Sequence, residues 1–143
     1  MGSLLGIAVA AKKRAPISQI DSATVGIADG IQGDARGRTP GRQITILFRD
    51  GWDQACEELG VKLPWTTRRA NLFVEGVPVP REGTRLKIGD CILEVTQETQ
   101  PCQLMEASHR GLRHALTPNW RGGVCCRVVA GGEIRTKDVV ELA

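Results

Sequence analysis

"TRLKIGDCILEVTQ", residues 84–97, reads as two extended runs separated by Gly89–Asp90. Gly followed by Asp is the chemistry of a tight turn, so the stretch predicts a hairpin. Upstream, "NLFVEG" (71–76) reads as a strand followed by a turn, "RQITILF" (42–48) alternates as a strand does, and "LLGIAVA" (4–10) suits a buried strand. Downstream, "RGGVCCRVVAGGEIRTKDVVELA" (121–143) reads as strand, Gly-Gly turn and strand. Pro78 and Pro80 mark an irregular or edge segment. Glycines at 26, 30, 33, 37 and 41, with Pro40, read as loop. Two helices are expected. One covers "RDGWDQACEELG" (49–60), with Asp50 as cap, Gly60 as stop, and Trp52, Ala55, Cys56 and Leu59 on one face. The other covers 103–116, with Leu104, Ala107, Leu112 and Leu116 on one face, weakened at Gly111 and ended by Pro118. Short, closely spaced strands with few helices predict a chain that is mainly β with short helices, a β-barrel or a strongly bent sheet.

At 143 residues the chain is expected to form one domain, and that length buries roughly 70% of the unfolded surface. Aromatic residues make up 3% and Tyr is absent, which argues against a stacking platform for single-stranded nucleic acid. A net charge of +3, carried mostly by arginine, suits a small anionic ligand better than a long polyanion. No P-loop or GxGxxG signature follows a strand. The N-terminal "MGSLLGIAVAAKKRAP" has its charges after the apolar run, the reverse of a secretory signal. The run is too short to span a membrane, and Gly6 replaces the Ser or Thr of a myristoylation signal. The expectation is a cytoplasmic protein that binds neither membrane nor nucleic acid. Five cysteines without a CxxC or zinc spacing fit a reduced compartment.

Cys102 stands out. Pro101 stiffens the chain before it, and a helix N-terminus follows, which favours the thiolate. Three roles are open to it: core filler, ligand of a soft metal, or reactive sulfur. Arg121 and Arg127 would add positive charge if the fold brings them near. Arg68, Arg69 and Asn71 open a strand, where such side chains read anions and amides; the bland alternative is a solvated basic corner. Asp34, Arg36 and Arg42 flank the glycine-rich loop and suit a phosphate, or else a solvated loop. His109 and His114 are five apart, off the spacing for one helical face, and read as solvent-facing, although a Cys102–His109 nucleophile pair needs only proximity in space. Cys125 and Cys126 are adjacent on a strand, so only one of them can face the side that Cys102 faces.

The order "GIQGD…RQITIL", "RRANLFVEGV", "LKIGDCILEVTQETQPC", "RGGVCCRVVAGGEI…DVVEL" resembles the MOSC domain, the module at the C-terminus of molybdenum cofactor sulfurases that also occurs as short bacterial proteins. The resemblance spans about residues 4–142. It implies a mixed β-barrel and makes Cys102 the family's cysteine, which binds molybdenum or carries sulfur. It also places Arg69 and Asn71 near the pterin-phosphate part of the cofactor. Some relatives reduce N-hydroxylated compounds with molybdenum. The family's short-form loop usually carries a histidine where "GDARGR" has Arg36, so no role is borrowed from that histidine. A dithiolene-bound molybdenum accepts one further thiolate, which a lone cysteine outside any CxxC supplies; zinc wants four ligands. The expected function is binding of a molybdopterin-type cofactor, with Cys102 as ligand and Asp34, Arg36, Arg42, Arg69, Asn71 and Arg121 as cofactor-binding residues. The alternative is a non-catalytic sulfur carrier with a persulfide on Cys102, or a partner-binding module. Either needs a partner, a sulfur donor or an electron-transfer protein. Pyridoxal phosphate lacks a recognisable lysine, since Lys12, Lys13, Lys62, Lys87 and Lys137 all read as surface.

Overall fold

The computed structural model describes residues 1–143. In chain order the strands and helices are β1 (Gly2–Val9), β2 (Ser18–Ile20), β3 (Ser22–Gly26), β4 (Gly30–Ile31), β5 (Ile44–Phe48), α1 (Arg49–Leu59), β6 (Leu72–Glu75), β7 (Arg85–Ile88), β8 (Cys91–Glu98), α2 (Gln103–Ser108), α3 (Leu112–Ala115), β9 (Val124–Ala130), β10 (Gly132–Arg135) and β11 (Val139–Leu142). The Gly89–Asp90 turn forms as expected, with Ile88 opposite Cys91 across the β7–β8 hairpin. From there the order β11-β7-β8-β9-β5-β6-β1 closes on itself, because β1 pairs back onto β11 with Gly2 opposite Val140. The result is a seven-stranded mixed β-barrel. Only β5 and β6 run parallel, and the crossover this requires contains α1 and a 3-10 turn at Trp65–Arg68. Register shifts between β8 and β9, at Ile92/Leu93 and between Val95 and Gln97, bend the wall. No helix is long and apolar enough to cross a membrane.

Strand alternation divides the apolar residues between two cores. Ile44, Ile46 and Phe48 of β5 point into the barrel with Val124, Cys126 and Val128 of β9. Leu47 points outward and packs with Trp52, Ala55 and Cys56 of α1 and Met105, Leu112, Ala115 and Leu116. This second core fixes the helices against one flank of the barrel, beside the start of β6.

Four local expectations need correction. Residues 22–26 form a strand within the stretch read as loop, and β3 joins β4 and β10 in a small separate sheet. The Gly131–Gly132 segment is not a hairpin turn: it carries the chain off β9 and onto β3. Asp50 does not cap α1; Phe48 holds the cap position without a side-chain bond, and Asp50 lies in the first turn, where its charge suits the helix dipole. The helix expected over 103–116 is broken. Gly111 sits at φ 89°, a left-handed conformation that restarts the helix out of phase, so Leu104 and Ala107 are exposed while Met105 and Leu112 are buried.

Candidate functional site

The outer end of β6, the loop after β8 and the glycine-rich loop meet around a cavity of about 370 Å³. Lys13, Arg14, Arg36, Arg42, Arg68 and Arg69 line it, and no Asp or Glu does. Cys102 lines it as well. Of the six cations only Arg36 has a carboxylate partner, Asp34 at 2.9 Å. A concave wall of one sign of charge focuses its field on whatever enters. The chain's modest net charge of +3 is thus strongly concentrated at one place.

Each cation is held differently. The 3-10 turn at Trp65–Arg68 aims Arg68 inward, where it is 8% exposed. Its Nε donates to the Gly122 carbonyl at 3.0 Å and its Nη2 to the Thr99 carbonyl at 2.9 Å. These bonds strap the segments on either side of Pro101–Cys102. Gly122 has no room for a side chain: a Cβ there would lie 2.5 Å from the Thr99 oxygen. Burial pulls the Arg68 guanidinium below its usual range, and the sulfurs of Cys102 and then Cys125 partly offset that. Arg69 ends the turn at φ 64°, and its Nη2 donates to the Ala15 carbonyl at 2.7 Å, which ties the Lys13–Arg14 segment to the site. Burial, and then the charge of Arg36, lower the Arg69 pKa. Asp34 does not line the cavity. Its buried Oδ1 accepts the Ala10 N–H at 2.9 Å and Arg36 Nε at 3.0 Å, leaving Arg36 Nη1 to donate to the Arg69 carbonyl at 2.6 Å. Asp34 therefore positions Arg36.

Asn71 lines the cavity, but its amide serves the scaffold. Its Oδ1 accepts the Thr45 N–H at 3.0 Å and lies 3.3 Å from the Thr45 hydroxyl, and its Nδ2 donates to the Ala8 carbonyl at 3.2 Å. It braces β1 and β5 where β6 begins. Arg42 is exposed at the cavity edge, as expected of a loop cation.

Two expected cations lie elsewhere. Arg121 does not line the cavity: it turns to Glu58 at 2.5 Å and to the Ala115 carbonyl at 3.1 Å, fastening α1 to the end of α3. Arg127 pairs with Glu94 at 2.9 Å on the outside of the β8–β9 ladder. His109 closes α2 at the end opposite Cys102, about 10 Å away by helical rise, and lines neither cavity around the thiol. That separation leaves a Cys102–His109 pair without contact. Sequence reasoning missed Lys13 and Arg14, along with Thr39, Thr45 and Thr99, all of which line the cavity. The "KKR" run straight after an apolar strand was the available signal.

Of the five free thiols only Cys102 is exposed. Cys126 faces the barrel core, where burial pushes its pKa up strongly; Cys91 is likewise raised, to about 11. Cys125 faces outward, its sulfur 3.2 Å from the Thr99 hydroxyl, directly behind the cavity wall. Titration of the native protein with an aromatic disulfide near neutral pH is expected to consume one thiol rapidly, and all five only after unfolding. Two fast thiols in the native state would contradict this assignment.

No group of three or more His, Cys, Asp or Glu is arranged to hold a metal. The chemistry available is one exposed sulfur in an anion-attracting basin. Comparisons with solved structures agree with the fold. The YuaD protein of Bacillus subtilis superposes with a TM-score of 0.80 at 23% identity, covering 99% of this chain and 96% of that one. YiiM of Geobacillus stearothermophilus gives 0.80 at 17%, covering 100% and 75%, and YiiM of Escherichia coli 0.72 at 18%, covering 99% and 69%. No curated protein matches the chain by sequence. The sequence model of the MOSC domain matches residues 33–141, from the glycine-rich loop to the last strand, and the chain belongs to the MOSC domain family.

Proposed function

We propose that the cavity binds a molybdopterin-type cofactor, with Cys102 as a thiolate ligand of its molybdenum. The observation that carries this reading is the pairing of one exposed thiol with six cations and no acid in a single cavity. Such a cofactor is a small polyanion with a soft-ligand metal, and the donor set fits both halves. The volume lies within the range of about 300–1,000 Å³ typical of ligand sites. Arg68 and Arg69 present fixed guanidinium groups to a phosphate, Arg36 is oriented by Asp34, and the exposed cations Lys13 and Arg42 neutralise charge at the edge. Asn71 supports the site through the backbone it holds. When bound, the cofactor supplies redox chemistry, and reduction of N-oxygenated small molecules is the activity this reading favours. Electrons then come from a partner protein. The second reading is sulfur transfer: the exposure of Cys102 suits a persulfide accepted from a donor and passed on.

The test is molybdenum and pterin content after production in a host that makes the cofactor. Near-stoichiometric molybdenum is expected in the natural protein and none in Cys102→Ser. Because Cys102 is exposed, the variant should keep its stability within about 0.5 kcal/mol. Absence of molybdenum from both proteins, with the cofactor available, sinks this reading and turns attention to a persulfide assay.

A further inference from the structure

Cys102 opens on a second cavity. This outer groove, about 610 Å³, runs along the exposed side of α2 and shares Arg14, Arg69, Cys102 and Leu104 with the deep cavity. Its own additions include Ala107 and Arg113, and again no acidic residue lines it. Two features set it apart. Leu104 is 47% exposed, one of few large apolar side chains left in solvent, and with Ala107 it forms an apolar strip on α2. The phase break at Gly111 creates that strip by turning Leu104 and Ala107 out while Met105 goes in. Arg113, at the far end, has no carboxylate partner, and neither does Arg14. The groove thus presents apolar surface flanked by unpaired guanidinium groups, with Cys102 in its lining.

We infer that the outer groove is the subsite for the second reactant at Cys102, a small molecule with an apolar body and a carboxylate, the body lying on Leu104 and Ala107 and the carboxylate on Arg113. This rests on Cys102 being the reactive centre. It separates the two jobs of the site: the deep, more polar cavity takes the cofactor, and the outer groove selects what reaches the sulfur or its metal. An Arg–carboxylate contact gives orientation, and the apolar strip gives affinity for a ring or alkyl chain.

The experiment uses the cofactor-free protein and two aromatic disulfides, 5,5′-dithiobis(2-nitrobenzoate), which carries carboxylates, and neutral 4,4′-dithiodipyridine. In both reactions the Cys102 thiolate attacks one disulfide sulfur, forms a mixed disulfide and expels an aromatic thiolate with the electron pair. Relative to a free cysteine derivative, the ratio of anionic to neutral rate constants should rise by about tenfold. Arg113→Gln should lower that ratio about threefold, the size of one exposed charge contact. Leu104→Ser should slow both aromatic probes. On the unaltered protein, benzoate should protect Cys102 from the neutral probe better than acetate does. A high ratio unaffected by Arg113→Gln, with both rates unaffected by Leu104→Ser, would put the attraction in the deep cavity and overturn the groove assignment. Equal protection by benzoate and acetate would overturn it too. None of these rates depends on molybdenum, so failure here leaves the cofactor reading standing, and failure of the metal assay leaves the groove standing.

Discussion

Asn71→Ala is expected to lower stability by about 3 kcal/mol, seen as a fall in Tm of about 10 °C. Asn71 is 2% exposed, and its amide answers an N–H of β5, the Thr45 hydroxyl and a carbonyl of β1. Alanine fills none of these. The Thr45 N–H and the Ala8 carbonyl would be left buried without their partner, and each such orphan costs about 1–3 kcal/mol. The site lies at the parallel β5–β6 junction, where the crossover returns to the barrel. Asn71→Asp separates hydrogen bonding from packing. The introduced carboxylate keeps the shape and accepts the Thr45 N–H, but it would face the Ala8 carbonyl, and burial there would raise its pKa above the unfolded value of about 4. Above that pH the unfolded chain binds fewer protons than the native one, so stability would fall as pH rises. Equilibrium unfolding of both variants at pH 4 and pH 7 checks this. An Asn71→Ala change that costs under about 1 kcal/mol would show that the amide is not the brace described.

The legible parts of this molecule were the local ones. Gly89–Asp90 marks a hairpin through turn chemistry alone, and β5, β6 and β8 announce themselves by composition over a few residues. That the strands form a barrel was legible from their number and spacing; which strands close it was not, because closure depends on β1 meeting β11 across nearly the whole chain. The strand at 22–26 was hidden by the glycines around it, although its alternating burial is regular. The site divides in the same way. Cys102 was found from its neighbours Pro101 and Gln103, and Arg69 from its place ahead of a strand. Lys13 and Arg14 were missed because the bond from Arg69 to Ala15 brings in a segment 54 residues away. Arg121 was expected to add positive charge near Cys102, yet Glu58 on α1 claims it, and nothing in the local sequence reports that partner. Arg68 and Arg69, adjacent in sequence, differ most of all: a left-handed turn at Arg69 sends one guanidinium into the wall and the other along the rim.

Arg68→Met is expected to separate stability from binding. Arg68 is a buried cation without a carboxylate partner; its visible compensation is two backbone carbonyls and the field of nearby sulfurs. Stripping water from a guanidinium costs several kcal/mol, and two hydrogen bonds to a charged donor return about 1.5–3 kcal/mol each. The lowered pKa carries the same message: the fold holds this charge at a cost at every pH where arginine is protonated. A methionine of similar length removes the desolvation penalty and keeps the packing, which offsets the loss of a donor to the Gly122 and Thr99 carbonyls, so Tm should change little. An anion entering the cavity meets a guanidinium already desolvated and oriented, so the attraction is realised on binding. Loss of Arg68 should therefore weaken inorganic pyrophosphate binding by at least about tenfold, or 1.4 kcal/mol, in a calorimetric titration at fixed salt. Arg42→Gln, at the exposed edge of the same cavity, should weaken it by only about threefold. A methionine variant that binds pyrophosphate as well as the natural protein would remove Arg68 from the anion site. One that loses several kcal/mol of stability would show that the strap between Thr99 and Gly122 outweighs the cost of the buried charge. The expected pattern, intact fold with emptied site, is that of a residue held against the fold's own interest because a ligand needs it there.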